Sequence, residues 1–188
     1  AEIIEIGFEK GNPVSVNGEK LKAAELVKKL NVIAGKHGIG IDDIVESRMV
    51  GMKSRGVYEN SAASVLYFAH EKLETVTMHP DNLQYKQKLA LDYANLVYAG
   101  KWLTPLKEAM DAFIDKSQEN VTGKVKIKLY KGSMQPAGIS AKNSLYLEEY
   151  ATFEEDDVYN QSDATGFINL FGLSTKIYAK AVKESEDK

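Results

Sequence analysis

The sequence predicts an α+β fold built on an antiparallel sheet, because segments with a two-residue apolar period lie on both sides of a central group of helices. Apolar and polar residues alternate early and late in the chain, whereas the interval between them repeats its apolar residues at helical spacing. The 188 residues suffice for one ordinary domain, and 44% hydrophobic with 27% charged residues is typical of a globular protein.

The chain opens with two strands and a helix. Apolar residues alternate at positions 4, 6 and 8 and again at 14 and 16, after a turn at Gly11-Asn12-Pro13. Asn17-Gly18 is a dipeptide favoured in two-residue hairpin turns. Leu26, Leu30 and Ile33 then recur on one side of a helix predicted over 23–34, which Gly35 ends.

Residues 35–58 break the alternating pattern. Residues 41–52 are predicted to form one strand, yet charged and hydroxyl side chains interrupt this strand and continue beyond it. The polar cluster consists of Glu46, Arg48, Lys53, Ser54, Arg55 and Tyr58. Breaks of this kind concentrate at functional sites, so the cluster is either a binding site or a structural network of ion pairs.

Three helices are predicted next. Asn60 or Ser61 is expected to cap the first, whose apolar stripe includes positions 65, 66, 69, 73 and 76. His79-Pro80-Asp81 separates it from a second helix that reaches Tyr98 with positions 89, 93, 96 and 97 inward. Thr104-Pro105 is a cap and first-turn pair for a third, with positions 106, 110, 113 and 114 inward.

The late part of the chain returns to strands and then to short helices. The lysines within 124–128 alternate with apolar residues, as on a solvent-facing edge or half-exposed strand, and we expect them to protect an edge. Residues 134–139 are the predicted partner strand, where Pro136 indicates an edge or bulge. A helical stretch is expected around 144–152, and a last short helix, capped by Ser162 or Asp163, ends at Gly172.

Composition excludes several classes of protein. The absence of cysteine excludes disulfides, thiolate metal sites and a cysteine nucleophile. A net charge of −3 offers no basic field, so no nucleic-acid partner is expected. No apolar run approaches the roughly 20 residues of a membrane span. Because residues 1–5 lack signal-peptide character, a cytoplasmic location without a membrane partner is expected.

Motif spacing predicts no metal or phosphate site. His37, His70 and His79 lack the spacing of metal ligands, and His70 is expected to be a polar position on its helix. The glycines at 35, 38 and 40 match no nucleotide-binding pattern. The acidic run at 154–157 lacks the spaced ligands of a calcium loop, so a solvated surface is expected there.

Four blocks resemble argininosuccinate synthases, and they occur in the family's order. Residues 35–59 are similar to the family signature and read GKHGIGIDDIVESRMVGMKSRGVYE. Residues 89–102 resemble its central helix and turn, residues 121–132 its late strand, and residues 163–169 its final helix. The resemblance covers nearly the whole chain. Ser47 and Asn60-Ser61 depart from the Asn and the Pro-Gly or Pro-Ala that the family commonly has there.

The resemblance implies a division of the chain and an assembly. Residues 1–172 are expected to be a synthetase and multimerisation domain that is incomplete at its amino terminus. Residues 173–188 are expected to be a tail helix for oligomerisation, with Leu173, Ile177 and Ala181 on one stripe. The expected assembly is a homotetramer. A non-catalytic oligomerisation or interaction module of the same fold is the alternative.

The resemblance also implies a reaction. The family joins L-citrulline to L-aspartate while ATP becomes AMP and pyrophosphate. Glu46 and Tyr58 correspond to citrulline contacts, and we assign both to substrate positioning. No residue of this chain is assigned to catalysis or to metal binding. ATP with magnesium is expected on the amino-terminal domain, since its Ser-Gly-Gly-x-Asp-Thr-Ser loop is not in this sequence, so this chain alone is expected to bind no cofactor.

Overall fold

The computed structural model describes residues 1–151 and 160–186, which belong to two units. The first unit is Ala1–Leu145, and the second begins at Tyr146. The expected division at residue 172 concerns the roles of the segments rather than their packing, and it stays a prediction. The acidic run at 154–157 lies outside the described residues.

Strands within the described residues form two antiparallel sheets. In chain order they are β1 (Glu2–Glu9), β2 (Asn12–Val16), β3 (Glu19–Lys20), β4 (Ile41–Ser47), β5 (Lys53–Glu59), β6 (Gly123–Tyr130) and β7 (Ser133–Ala141). The large sheet has the order β3-β2-β1-β6-β7, and β4 pairs with β5 alone. Together with the helices between β5 and β6, this arrangement confirms an α+β fold with an antiparallel sheet.

Six α-helices lie in the described ranges. They are α1 (Ala23–Gly35), α2 (Ser61–Thr77), α3 (Pro80–Tyr98), α4 (Pro105–Gln118), α5 (Asp163–Phe171) and α6 (Leu173–Glu186). A 3-10 turn at Glu148–Tyr150 occupies the expected helical stretch, and α5 is followed by Gly172 as predicted. None of these helices combines the length and the apolar character that crossing a bilayer requires.

The core of the first unit lies between one face of the large sheet and two helices. The strands contribute alternate residues with less than 4% exposure, namely Ile4, Ile6, Phe8, Val16, Val125, Ile127 and Leu129. Helices α1 and α2 cover them with Leu26, Leu30, Ala34, Val65, Ala69 and Leu73. Full burial of an aliphatic side chain contributes about 1.5–3 kcal/mol, so these buried side chains stabilise the packing of the helices on the sheet.

The predicted hairpin at Asn17-Gly18, which joins β2 to β3, is confirmed. Both residues have positive φ, 52° and 81°, as a type I′ turn requires. Val16 then pairs with Glu19 across the turn.

The expectation that β6 protects an edge is wrong. β6 pairs with β1 on one side and with β7 on the other, so its alternating lysines cover the solvent face of an interior strand. Lys124, for example, lies 3.0 Å from the carboxylate of Glu5 on that face. The outer strand is β7, and the pairing register shifts beside Pro136, which confirms the predicted edge or bulge.

Helix starts follow the predicted caps only in part. Thr104 accepts from the amide of Lys107 at 3.4 Å and caps α4, as predicted. Asn60 makes no side-chain cap bond to α2. Instead, the Asn31 side chain accepts from the amide of Ala62 at 2.9 Å. Leu106, predicted to face inward, is 56% exposed.

His70 belongs to a polar network among α2, α3 and α4. Its Nε2 lies 2.9 Å from Oε1 of Gln118, whose Nε2 donates to Oε1 of Glu74 at 2.7 Å. Lys86 lies 2.9 Å from the same carboxylate. Glu74 and Gln118 are 4% and 6% exposed, so the network is buried. Because Gln118 turns its oxygen toward His70, Nε2 of the imidazole carries a proton and donates it to that oxygen.

This network predicts pH-dependent stability. Burial is the largest cause that lowers the pKa of His70 below its ordinary value of 6.5. The Lys86 cation also lowers this pKa, whereas the Glu74 carboxylate raises it. The unfolded chain therefore binds the extra proton more readily, so the stabilisation is present above pH 6.5 and is lost as pH falls through the folded pKa. We expect a higher free energy of unfolding at pH 7.5 than at pH 5.5, measured by urea denaturation.

The control for this prediction is a second histidine. His70→Gln is expected to reduce the difference between the two pH values. His79→Asn is expected to keep it, since His79 is exposed and asparagine can still serve at the start of α3. An unchanged pH dependence in His70→Gln would contradict this role of the network.

Candidate functional site

The polar cluster of residues 46–58 lies on a β-hairpin rather than on one strand. The predicted strand over 41–52 is wrong, because β4 ends at Ser47 and the chain reverses before β5. Arg48 and Met52 close the turn, with the amide of Arg48 donating to the Met52 carbonyl at 2.8 Å. Gly51 has a φ of 88°, which permits the reversal. Gly51 inside the apolar run Met49–Met52 was the sequence signal for this turn.

The hairpin divides the cluster between its two faces. Glu46 lies directly opposite Ser54 in the β4–β5 pairing, and Tyr58 shares their face because it is two alternations further along β5. Asp43, Lys53 and Arg55 lie on the other face. We call these the Glu46 face and the Arg55 face.

The Arg55 face is a network of ion pairs and hydrogen bonds. Arg55 binds Asp43 through two nitrogens, at 2.7 and 2.5 Å, and Lys53 donates to the Ser47 hydroxyl at 2.6 Å. The Arg55 guanidinium lowers the pKa of Asp43, and Asp43 raises that of Arg55. The structural reading of the cluster therefore holds on this face.

On the Glu46 face, three donors meet at one carboxylate oxygen. Oε1 of Glu46 accepts from Arg48 Nη1 at 2.9 Å, from the Tyr58 hydroxyl at 3.3 Å and from the Ser54 hydroxyl at 3.4 Å. The Glu46 side chain is 23% exposed, and Tyr58 is 37% exposed. The two residues that the family resemblance selects are thus brought together on an accessible surface.

Gly56 makes this arrangement possible. The Tyr58 ring bends back along β5 toward Glu46 and lies over Gly56, where a Cβ would come within 2.7 Å of the ring. A larger residue would therefore occupy the space of the ring. Sequence reasoning did not single out Gly56, although the Gly-Val-Tyr run contains it.

The Glu46 carboxylate raises the pKa values of the two neighbouring side chains, Tyr58 and Arg48. The nearby Glu46 carboxylate raises the pKa of Tyr58, so its phenol stays protonated in the neutral range. The hydrogen bond to Glu46 is the largest cause that raises the pKa of Arg48. The face therefore carries a carboxylate, a guanidinium and a neutral phenol.

Hydrogen bonds hold the hairpin at both ends within the first unit. At its base, the amide of Asn60 donates to the Gly40 carbonyl at 2.7 Å. Near its turn, the Tyr98 hydroxyl at the end of α3 donates to the Ser47 carbonyl at 3.2 Å, next to Glu46. The sequence pattern gave no signal for the Tyr98 contact, which joins residues 51 positions apart.

The described side chains include no group of three histidine, aspartate or glutamate residues arranged to hold a metal ion. His37 lies 3.0 Å from Glu2, His70 belongs to the buried network, and His79 precedes α3. The Glu46 face offers a carboxylate, a guanidinium and two hydroxyl groups, all of which can form hydrogen bonds with a polar ligand.

Gly56→Ala is expected to separate Tyr58 from Glu46 without unfolding the chain. Gly56 does not have the left-handed φ that only glycine tolerates, and alanine restricts the unfolded chain, so the unfolding midpoint should stay equal or rise. The displaced phenol loses the nearby carboxylate, and its pKa should fall toward the ordinary value of 10.0. NMR titration of ¹³Cζ-tyrosine can measure this, with Tyr58→Phe assigning the signal. A Tyr58 titration identical to that of the unaltered chain would contradict the close contact.

Comparison with known proteins shows one family. A family model described as the arginosuccinate synthase C-terminal domain matches residues 1–178. The chain is 58% identical over 182 residues to the argininosuccinate synthase of Carboxydothermus hydrogenoformans, which covers 97% of this chain and 45% of that protein. For the argininosuccinate synthase of Desulforamulus reducens the identity is 57% over 182 residues, with the same coverage.

A third relative extends the same match. The argininosuccinate synthase of Clostridium perfringens is 55% identical over 184 residues, which are 98% of this chain and 45% of that protein. The chain therefore spans about half the length of the curated relatives that it matches.

Proposed function

Because this chain belongs to the argininosuccinate synthase C-terminal domain family, we propose that it is the carboxy-terminal part of an argininosuccinate synthase and forms one side of the citrulline site. The single observation that carries this proposal is the meeting of Glu46 and Tyr58 on one accessible face of the hairpin. The family resemblance selects these same two residues as citrulline contacts.

The proposed role of this face is to position citrulline. A carboxylate accepts hydrogen bonds from ammonium and amide donors, and citrulline offers both kinds of nitrogen. In the proposed reaction, the ureido oxygen of citrulline is adenylated by ATP with release of pyrophosphate, and the amine of aspartate then displaces AMP. Neither Glu46 nor Tyr58 is an obvious acid or base for these steps, so we assign orientation of the substrate to both.

The remaining parts of the proposal follow from the family. ATP with magnesium is held by the rest of the enzyme, which carries the phosphate loop, and aspartate binds there as well. The enzyme is proposed to be a cytoplasmic homotetramer in arginine biosynthesis. Exposed apolar residues on both helices of the second unit support an oligomer contact, among them Phe167, Phe171, Leu173 and Ile177.

A chimaeric synthase tests the function. The part of the Carboxydothermus hydrogenoformans enzyme that precedes the match is joined to this chain, which is 58% identical to the segment that it replaces. We expect the chimaera to release pyrophosphate in the presence of ATP, citrulline and aspartate. This chain alone is expected to release none, because no glycine-rich loop in the sequence supplies backbone donors for the phosphates.

The chimaera also decides between the proposal and the non-catalytic module. A chimaera that melts cooperatively but releases no pyrophosphate above the level of its amino-terminal part alone would favour the module. Turnover by this chain alone would contradict the proposed division of the substrates.

A further inference from the structure

Among the members of the polar cluster for which the family resemblance supplies no role, Arg48 makes the shortest contact with Glu46. Its guanidinium lies 2.9 Å from Oε1 of Glu46, which makes this the shortest of the three hydrogen bonds to that oxygen. Arg48 stands at the start of the turn, where both its amide and its carbonyl are hydrogen-bonded, to Met52 and Gly51. The backbone that carries the guanidinium is therefore fixed.

The two oxygens of Glu46 have different surroundings. Oε1 accepts from Arg48, Ser54 and Tyr58, whereas none of the described residues donates a hydrogen bond to Oε2. An ionised carboxylate accepts through both oxygens. Oε2 is thus the oxygen that remains for a ligand.

The same network fixes the direction of the Tyr58 hydroxyl hydrogen bond. A phenol has one proton to donate, and Tyr58 donates it to Oε1 of Glu46. The lone pairs of the phenol oxygen are what remain for a ligand. Glu46 and Tyr58 therefore both present acceptors, and such a pair fits a ligand group with several N–H bonds and disfavours one that offers only acceptors.

We propose that Arg48 is a positioning residue, which holds Oε1 of Glu46 so that Oε2 and the Tyr58 oxygen face the substrate as a pair of acceptors. This inference rests on the proposed function. Arg48 acts through Glu46 and does not contact citrulline. Ser54 supports the same orientation with a longer, uncharged hydrogen bond, so the charged donor dominates.

The test uses the chimaeric synthase with Arg48→Met, Arg48→Lys and a matched control. The control is Arg55→Met, the same substitution on the same hairpin but on the Arg55 face. Because the Arg48–Glu46 contact is half exposed, we expect Arg48→Met to raise the apparent citrulline constant about three- to tenfold. The kcat and the ATP constant should change less than about twofold, since a positioning contact made equally in ground and transition states affects binding alone.

Two further results separate positioning from a general structural role. Arg48→Lys keeps the charge and one donor, so it should recover part of the citrulline affinity. If Arg48 acts through Glu46, then Arg48→Met should add little to Glu46→Gln in the double variant. Full additivity, or an effect no larger than that of Arg55→Met, would overturn the proposal. Only variants whose unfolding midpoints equal that of the unaltered chimaera are compared.

Failure of this inference can be told apart from failure of the proposed function. If Glu46→Gln raises the citrulline constant while Arg48→Met does not, only the role of Arg48 is overturned. If Glu46→Gln leaves the citrulline constant unchanged, both the citrulline site on the Glu46 face and the role of Arg48 are overturned.

Discussion

Glu46→Gln in the chimaeric synthase is expected to raise the apparent citrulline constant about 30- to 160-fold, which corresponds to about 2–3 kcal/mol for a hydrogen bond to a charged group. Glutamine keeps the shape of glutamate, so the hairpin should fold as before. Arg48 requires an acceptor at the position of Oε1 and therefore turns the amide oxygen toward itself. The NH₂ group then occupies the position of Oε2 and faces the N–H groups of citrulline. Because both are donors, they repel each other and the hydrogen bond is lost.

The measurement is steady-state pyrophosphate release with citrulline and ATP varied separately. The ATP constant should change little, because the proposed ATP site lies outside this chain. Asp43→Asn is the matched control, since it makes the same carboxylate-to-amide change on the Arg55 face of the hairpin. Equal rises in the citrulline and ATP constants would mean that Glu46 is a structural residue.

Removal of residues 173–188 is expected to lower the number of subunits in the assembly and therefore its mass. Helix α6 places Leu173, Ile177 and Ala181 on one stripe, and Leu173 and Ile177 are 47% and 61% exposed. Burying three such side chains contributes roughly 3–5 kcal/mol before the cost of ordering is subtracted. An isolated helix of about 16 residues is marginal in water, so a partner surface is needed to stabilise it.

Static light scattering on the chimaera measures this effect across a dilution series. A matched pair of full-length variants separates the stripe from the rest of the helix. Leu173→Ala with Ile177→Ala should weaken the assembly, whereas Lys176→Ala with Lys183→Ala should not, because these two lysines lie off the stripe. If the truncated protein keeps the same number of subunits per assembly at micromolar concentration, the segment is only a chain terminus.

Local sequence rules predicted the elements whose cause is local. Apolar alternation located β1, Asn17-Gly18 located the β2–β3 hairpin, and Thr104-Pro105 located the start of α4, because each depends on neighbouring residues alone. The position of β6 inside the sheet depends on pairing with β1, more than a hundred residues earlier in the chain. An alternating strand has the same pattern at an edge and in the interior, so the edge expectation was wrong.

The candidate site shows the same limit. Periodicity marked residues 46–58 as unusual but left binding and ion pairing as equal alternatives. The structure divides these roles between two faces, a result that depends on where the turn lies. A single strand over 41–52 gives no such pairing, whereas a turn at 48–52 places Glu46 opposite Ser54 and on the face of Tyr58. The selection of Glu46 and Tyr58 came from family resemblance, and their contact came from the structure.

The buried network shows a third limit. His70 and Glu74 are four residues apart on α2, which a sequence pattern can relate. Their partners Lys86 and Gln118 come from α3 and α4, and nothing local indicates that these helices turn polar side chains toward α2.

The most direct test of the proposed function is a crystal structure of the chimaeric synthase with citrulline bound. The proposal predicts a citrulline nitrogen at about 2.7–3.2 Å from Oε2 of Glu46, with a second N–H directed at the Tyr58 oxygen and with Arg48 still bound to Oε1. Citrulline bound elsewhere, with neither Glu46 nor Tyr58 within hydrogen-bond distance, would contradict it.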